Sequence, residues 1–153
     1  MHITNLLSQY FGKFAKKEFP RPIQELINGS YTKFMKLDLK EFKSSKHYKS
    51  LNELFTRDLI IKREIDGSKD IFISPTDSLI TECGKLKNNT ALQIKGMEYS
   101  VEELLTYYCR DNFSKVENGD FMNFYLSPKD YHRYHSPVDF KLKKLIHVPG
   151  KLY

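Results

Sequence analysis

Cysteine is scarce in this sequence, where Cys83 and Cys109 are the only two among 153 residues. Two cysteines are too few for a disulfide scaffold, and no signal-peptide pattern precedes them. We therefore expect reduced thiols in a cytosolic setting, acting as small, half-buried side chains.

Long hydrophobic runs are also missing. No apolar run approaches the roughly 20 residues of a membrane-spanning helix. Hydrophobic residues make up 40% of the chain and charged residues 29%, which is ordinary for a soluble globular protein. A length of 153 residues is enough for one domain with its own core.

The net charge of +6 is unevenly distributed. Residues 1–65 hold 13 Lys and Arg against 7 Asp and Glu, whereas residues 66–153 hold 12 of each. This asymmetry predicts that one end of the molecule contacts an anionic membrane or a nucleic acid. We favour the membrane and expect no nucleic-acid partner, because the charge lies in amphipathic helices and a linker, without a motif that reads nucleic acid.

The N-terminal segment has the apolar spacing of an amphipathic helix. Its periodic residues are Ile3, Leu6, Leu7, Tyr10, Phe11 and Phe14. Lys13, Lys16 and Lys17 cluster at its end. Such a helix lies in a membrane interface or packs on its own domain, and the sequence leaves both possibilities open.

Three further helices are predicted. Pro20-Arg21-Pro22 ends the first helix, and residues 23–34 repeat the helical period before a lysine-rich connector over residues 36–49. The connector is a solvated linker or, less favoured, a phosphate-headgroup contact. Capping boxes at residues 50–53 and 100–103 predict helices that begin near Leu51 and Val101, the second running through Tyr108.

Short strands are predicted over residues 70–74, 79–81 and 121–126, with a further strand carrying Leu142, Ile146 and Val148. Asn88-Asn89 indicates a loop. The predicted fold class is α+β, with N-terminal amphipathic helices followed by a mostly antiparallel β domain. We expect this domain to be truncated, because residues 151–153 begin a strand too short to pair.

The tetrad Ser-Pro-x-Asp occurs three times, at residues 74–77, 127–130 and 136–139. Ser and Pro at its first two positions favour a type I turn. The default role of each aspartate is therefore to accept backbone hydrogen bonds within its own turn.

His132 and His135 lie between two of these turns. Imidazole titrates near neutral pH, so the pair is a candidate for acid–base chemistry. On spacing alone, two polar loop residues are the commoner explanation. Zinc is disfavoured, and no metal is expected, because no Cys or further His lies nearby in the sequence to complete a coordination shell.

Several segments of the chain, in register from about Ser50 to Tyr153, resemble the phosphatidylserine decarboxylase family. The most specific is Tyr-Leu-Ser-Pro-Lys-Asp-Tyr-His-Arg-Tyr-His at residues 125–135. The other segments are Leu51–Arg57, Ser74–Asp77, Leu92–Val101 and Val148–Gly150. The family's Gly after the turn Asp is replaced by Ser78 and by Phe140, which a type I turn tolerates.

The resemblance implies a carboxy-lyase of phospholipid biosynthesis that converts phosphatidylserine to phosphatidylethanolamine and CO2. Such enzymes carry a covalent pyruvoyl group, formed when the proenzyme cuts itself at the Gly-Ser bond of a Leu-Gly-Ser-Thr motif. By resemblance, Asp77 and His135 belong to the self-cleavage triad, and His132 lies beside the substrate. We therefore predict that Asp77 and His135 approach each other in the fold.

The Leu-Gly-Ser-Thr motif is absent from these 153 residues. We therefore expect the β-chain portion of a longer proenzyme, inactive by itself, whose pyruvoyl group comes from a Ser on a C-terminal α chain. Residues 1–49 would be a basic helical membrane-associating region and residues 50–153 the N-terminal portion of the catalytic domain, at the cytoplasmic face of the cell membrane. The alternative is a non-catalytic remnant of the family that binds membrane surfaces.

Overall fold

The computed structural model describes residues 3–86, 90–94 and 97–147. They form two compact units, one made of the described residues up to Asp77 and from Leu126 onward, the other of Ser78–Tyr125. The predicted α+β class is confirmed, because helices come first and antiparallel strands follow. Val148 and the predicted features at Asn88-Asn89 and residues 151–153 lie outside the described residues.

The first unit is helical. It contains α1 (Ile3–Lys16), α2 (Arg21–Met35) and α3 (Leu51–Phe55), with a short 3₁₀ helix at Ser45–His47. Pro20 precedes α2 and Pro22 occupies its first turn, where a missing N–H does no harm. All three helices were predicted from the apolar period and the proline and capping signals.

The second unit contains two separate two-stranded sheets and short helices. Antiparallel β1 (Leu79–Lys85) and β4 (Asp120–Tyr125) form one sheet, and antiparallel β2 (Thr90–Ile94) and β3 (Met97–Ser100) form the other. The helical segments are α4 (Val101–Leu105), a 3₁₀ helix at Tyr107–Asn112 and α5 (Phe113–Val116).

The capping boxes formed largely as predicted. The Ser100 hydroxyl accepts the N–H of Glu103, whose carboxylate accepts the N–H of Ser100. In α3 the Ser50 hydroxyl accepts the N–H of Glu53, but the Glu53 carboxylate instead accepts the N–H of Lys49. The helix predicted through Tyr108 is too long, because Thr106 turns to a positive φ of 59° and ends α4 at Leu105.

Two predicted strands are wrong. Residues 70–74 carry no strand. Ile71 donates its N–H locally to Ser68 O, and Ile73 donates to Pro137 O, but Pro137 has no N–H to return. Residues 142–147 carry no strand either, and of the predicted alternating side chains Leu142 is exposed and Ile146 only partly buried. Alternation makes a strand only where a neighbouring strand completes the ladder, and the described residues offer none there.

The core of the first unit is small and centred on α3. Ala15 of α1 packs with Tyr48, Leu51 and Leu54. Partly buried side chains surround them: Ile27, Tyr31, Leu37 and Leu39. Leu51 and Leu54 of α3 are therefore the buried apolar side chains against which the surrounding segments pack.

A buried polar network joins α2 to the connector. Asn28 is fully buried, accepts the Gln24 side-chain N–H at 2.8 Å and donates to Ser45 O and Tyr48 O at 3.0 and 2.9 Å. The connector is thus fixed to α2 through backbone carbonyls, which a purely solvated linker would leave to water.

Replacing Asn28 should show the contribution of this network. Asn28→Ala leaves two carbonyls and the Gln24 amide without their partner, so we expect the free energy of unfolding to fall by about 1–3 kcal/mol. Urea denaturation measures this value. Ser30→Ala, on an exposed position of the same helix, is the control and should leave the midpoint unchanged. An Asn28→Ala midpoint equal to that of the control would contradict the network's role.

Candidate active site

Two hydrogen bonds join the first and third Ser-Pro turns, although these turns lie far apart in the sequence. His135 donates its N–H to Pro75 O at 2.8 Å, and Ile73 donates its N–H to Pro137 O at 3.1 Å. These bonds bring the segment that carries Asp77 beside the segment that carries His135. The two side chains line one cavity.

This cavity has a volume of about 710 Å³. Its walls are the segments 58–66 and 73–77 together with Tyr131 and His135. Ile60, Ile61 and Ile65 add exposed apolar side chains beside the acid and the imidazole. The cavity therefore combines an apolar wall with groups able to move a proton.

Asp77 is held by an arginine. Arg63 donates to both of its carboxylate oxygens at 2.7 and 2.8 Å, and the same guanidinium donates to both oxygens of Glu41 at 3.0 and 2.6 Å. The hydrogen bonds that Arg63 donates lower the pKa of Asp77, and donating to the Asp77 and Glu41 carboxylates raises the pKa of Arg63. Asp77 is thus an anion oriented by Arg63, a partner outside its own turn.

His135 is exposed, and one ring nitrogen has a defined neighbour. Its Nε2 lies 3.1 Å from the Tyr131 hydroxyl, and the two rings stack with centroids 5.6 Å apart. The Asp77 carboxylate and the His135 ring therefore face the same cavity, each with its own hydrogen-bond partner.

His132 lies elsewhere. Its ring stacks on Phe55 of α3 with centroids 3.9 Å apart, and its Nε2–H donates to Ser127 O at 2.9 Å. It does not line the cavity that holds Asp77 and His135. Of the three residues predicted from sequence, the structure brings two together and holds the third against α3.

Two arginines fasten the histidine segment to the end of α3. Arg57 Nη2 donates to Lys129 O and Asp130 O at 2.9 and 3.1 Å, and Arg133 Nε donates to Thr56 O at 2.8 Å. Arg57 is only 2% exposed and lies 4.5 Å from the centroid of the Phe42 ring. Burial lowers the pKa of Arg57. Its Nε and Nη1 have no hydrogen-bond partner among the described residues.

The second Ser-Pro turn behaves as the sequence predicted. Asp130 accepts the Ser127 N–H at 2.6 Å, which closes the turn before the histidines. The carboxylate of Asp130 therefore has the turn role that spacing assigned to it.

Several residues around the cavity were missed from the sequence. Arg63 and Glu41 belong to no motif, and their pairing spans two unrelated loops. Tyr131 and Arg57 lie in segments that resemble the family, but the sequence assigned neither of them a role. The one available signal was the presence of Arg57 and Tyr131 within segments that resemble the family, which points to importance without giving a role. No group of three His, Cys, Asp or Glu side chains suited to a metal occurs among the described residues.

Removing Arg63 should release Asp77 electrostatically. In Arg63→Gln we expect the pKa of Asp77 to rise toward its ordinary value of about 3.9. A carboxyl group whose pKa is lowered by folding stabilises the folded state at pH values above its unfolded-state pKa. This stabilisation is lost as the pH falls through its folded-state pKa. The stability gap between wild type and Arg63→Gln should therefore be constant near neutral pH and shrink below about pH 4.

Carboxyl NMR titration and urea midpoints across this pH range measure both effects. Arg21→Gln, which removes an exposed arginine paired with Glu25, is the matched control and should leave the titration of Asp77 unchanged. If Asp77 titrates in Arg63→Gln as it does in wild type, the claim that Arg63 lowers the pKa of Asp77 is refuted.

Comparison with known proteins supports the sequence resemblance. A family model described as phosphatidylserine decarboxylase matches residues 51–153. The phosphatidylserine decarboxylase proenzyme of Helicobacter pylori is 46% identical over 151 residues, covering 98% of this chain and 55% of that protein. The proenzyme of Campylobacter jejuni is 46% identical over 160 residues, covering 100% of this chain and 58% of that protein.

A more distant relative gives the same result. The phosphatidylserine decarboxylase proenzyme of Escherichia coli O9:H4 is 38% identical over 136 residues, covering 86% of this chain and 41% of that protein. This chain thus spans about half the length of the curated relatives it matches. Because the family model covers residues 51–153 and these relatives align with most or all of the chain, this chain belongs to the phosphatidylserine decarboxylase family.

Proposed function

We propose that this chain is the β-chain portion of a phosphatidylserine decarboxylase proenzyme, which converts phosphatidylserine to phosphatidylethanolamine and CO2 in phospholipid biosynthesis. The observation that carries the proposal is the cavity shared by Asp77 and His135 in a chain of this family. An ionised carboxylate next to an imidazole is the arrangement that general-base chemistry on a hydroxyl requires.

In the proposed self-cleavage, His135 takes the proton of a serine hydroxyl while the serine oxygen attacks the carbonyl of the preceding glycine. Asp77 orients the imidazole and stabilises the imidazolium that forms. Asp77 remains ionised throughout, because the hydrogen bonds from Arg63 hold its pKa low. The proton then passes from His135 to the serine nitrogen as its bond to the glycine carbonyl breaks, which leaves an ester. Elimination of the glycine carboxylate from this ester cuts the chain and leaves dehydroalanine, and water converts that residue to the pyruvoyl group and ammonia.

The serine and the pyruvoyl group made from it belong to the proposed C-terminal α chain. The residues present fit such a group, because the Asp77–His135 cavity is open and large enough to admit a chain segment. When bound, a pyruvoyl carbonyl supplies an electron acceptor for the loss of CO2. His132 is proposed to assist decarboxylation or the later protonation, with its ring fixed in place by Phe55 and Ser127.

The apolar surface near the end of the described chain supports a partner chain. Val138, Phe140, Leu142 and Leu145 are all exposed, Leu145 by 85%. Leu142 and Ile146 have the spacing of one strand face, yet no strand among the described residues pairs with residues 141–147. The proposed α chain would supply that neighbour and cover these side chains.

The α1 surface supports peripheral binding at the cytoplasmic face of the cell membrane. Among the α1 side chains that the structure describes, Ala15 alone is buried in the core, whereas Leu7 and Phe11 are 64% and 61% exposed. Lys13, Lys16 and Lys17 lie next to this apolar face and would meet anionic headgroups. No helix in the described ranges has the length and apolar character needed to cross a bilayer.

We accordingly assign residues 1–49 to membrane association and residues 50–153 to the catalytic domain. The alternative function is a membrane-binding remnant without chemistry, which the same exposed α1 face would also serve. The sequence encoded beyond Tyr153 distinguishes the two: an in-frame Leu-Gly-Ser-Thr motif supports the decarboxylase, whereas an immediate stop codon supports the remnant.

The acid–base assignment can be tested in a proenzyme that carries these 153 residues followed by a C-terminal part with the Leu-Gly-Ser-Thr motif. His135→Gln and Asp77→Asn should each slow self-cleavage by at least about a hundredfold, because the serine loses its oriented base. Gel electrophoresis over time gives the rate. His47→Gln, an exposed histidine of the first unit, should cleave normally. Normal cleavage in His135→Gln would refute the assignment.

The membrane assignment can be tested by vesicle flotation. The chain should float with phosphatidylserine vesicles at low salt and less so as salt rises, because screening weakens the lysine contacts. Leu7→Glu with Phe11→Glu should abolish flotation, since charges on the apolar face cannot enter the interface. Gln9→Glu is the control on the opposite side of α1. Equal flotation of all variants would exclude α1 as the membrane contact.

A further inference from the structure

Tyr131 is the side chain in direct contact with the imidazole of His135. Its hydroxyl lies 3.1 Å from His135 Nε2, and the two ring planes are inclined by only 24°. Tyr131 is 5% exposed, whereas the neighbouring Tyr134 is 85% exposed. The structure thus buries one tyrosine of this segment with its hydroxyl directed at the histidine.

The Tyr131 ring has two further neighbours. It packs on buried Phe42 with centroids 5.6 Å apart, and the Arg63 guanidinium lies 5.7 Å from its centroid. Arg63 is the same residue that holds Asp77. One rigid cluster therefore positions both the carboxylate and the phenol that face the cavity.

Burial also fixes the protonation state of the phenol. Desolvation raises the pKa of Tyr131, so its hydroxyl keeps its proton at neutral pH. A neutral imidazole has one N–H and one lone pair. If the phenol donates to Nε2, the lone pair lies on Nε2 and the N–H lies on Nδ1.

This tautomer is the one an Asp–His–Ser unit needs. The carboxylate accepts the Nδ1–H, and the Nε2 lone pair takes the hydroxyl proton. A phenylalanine would fill the same space as the Tyr131 ring. The hydroxyl adds only a hydrogen bond, and its observed neighbour is the nitrogen that would act as the base.

We propose that Tyr131 is a positioning residue that selects the Nδ1–H tautomer of His135 and occupies Nε2 until the serine hydroxyl replaces it. This inference rests on the proposed self-cleavage and extends it to a residue that the triad does not include. The serine hydroxyl donates to the same lone pair that the phenol occupies. The phenol moves aside with its own proton, so no net charge is transferred to it.

Imidazole ¹⁵N NMR of the histidine-labelled 153-residue chain tests the tautomer directly. At a pH where the ring is neutral, wild-type His135 should show an unprotonated Nε2 and a protonated Nδ1. Tyr131→Phe should shift the population toward Nε2–H, whereas Tyr134→Phe should leave it unchanged. A merely space-filling role would not move this signal. A wild-type His135 that is mainly Nε2–H overturns the proposal without any variant.

Self-cleavage of the longer proenzyme separates this proposal from the proposed function. Tyr131→Phe should slow cleavage by at least about tenfold, less than His135→Gln does. If His135→Gln blocks cleavage while Tyr131→Phe keeps both the wild-type rate and the wild-type tautomer, the Tyr131 proposal fails and the function stands. If His135→Gln cleaves normally, the proposed acid–base role of His135 in self-cleavage fails, and the tautomer measurement still decides whether Tyr131 positions the ring.

Discussion

The two hydrogen bonds between the Ser-Pro turns are the constraint on which the candidate site depends. In an antiparallel ladder each hydrogen-bonded pair exchanges two bonds, but Pro75 and Pro137 can accept and cannot donate. Each pair therefore keeps one bond, from His135 to Pro75 and from Ile73 to Pro137. The prolines prevent a regular strand and still fix the register, so that Asp77 and His135 reach the same cavity.

Irregular backbone of this kind needs partners from side chains, and arginines provide them. Arg57 and Arg133 fasten the histidine segment to α3, while Arg63 joins Asp77 to Glu41. The apolar core lies on the other side of α3, around Leu51 and Leu54. Hydrophobic burial thus fixes α3 in the first unit, and charge-assisted hydrogen bonds then hold the histidine segment in a defined position relative to α3.

Regular elements were predictable because their signals are local. The apolar period gave α1 and α2, and Ser50 and Ser100 marked the starts of α3 and α4. The described residues 70–74 and 142–147 did not form the strands expected there, since strand pairing depends on a distant neighbour. The family strings identified Asp77, His132 and His135. The Arg63–Glu41 pair joins distant loops and leaves no mark in the sequence.

The central claim is that Asp77 and His135 act as one unit on a serine hydroxyl. The most direct test is a double-mutant comparison of self-cleavage rates in the longer proenzyme, using Asp77→Asn, His135→Gln and both together. When two residues act as a unit, replacing either one already removes most of the rate enhancement that they provide jointly. The double variant should therefore be about as slow as the slower single variant. If the slowing in the double variant equals the product of the slowing in the two single variants, the residues act independently, which would contradict the account.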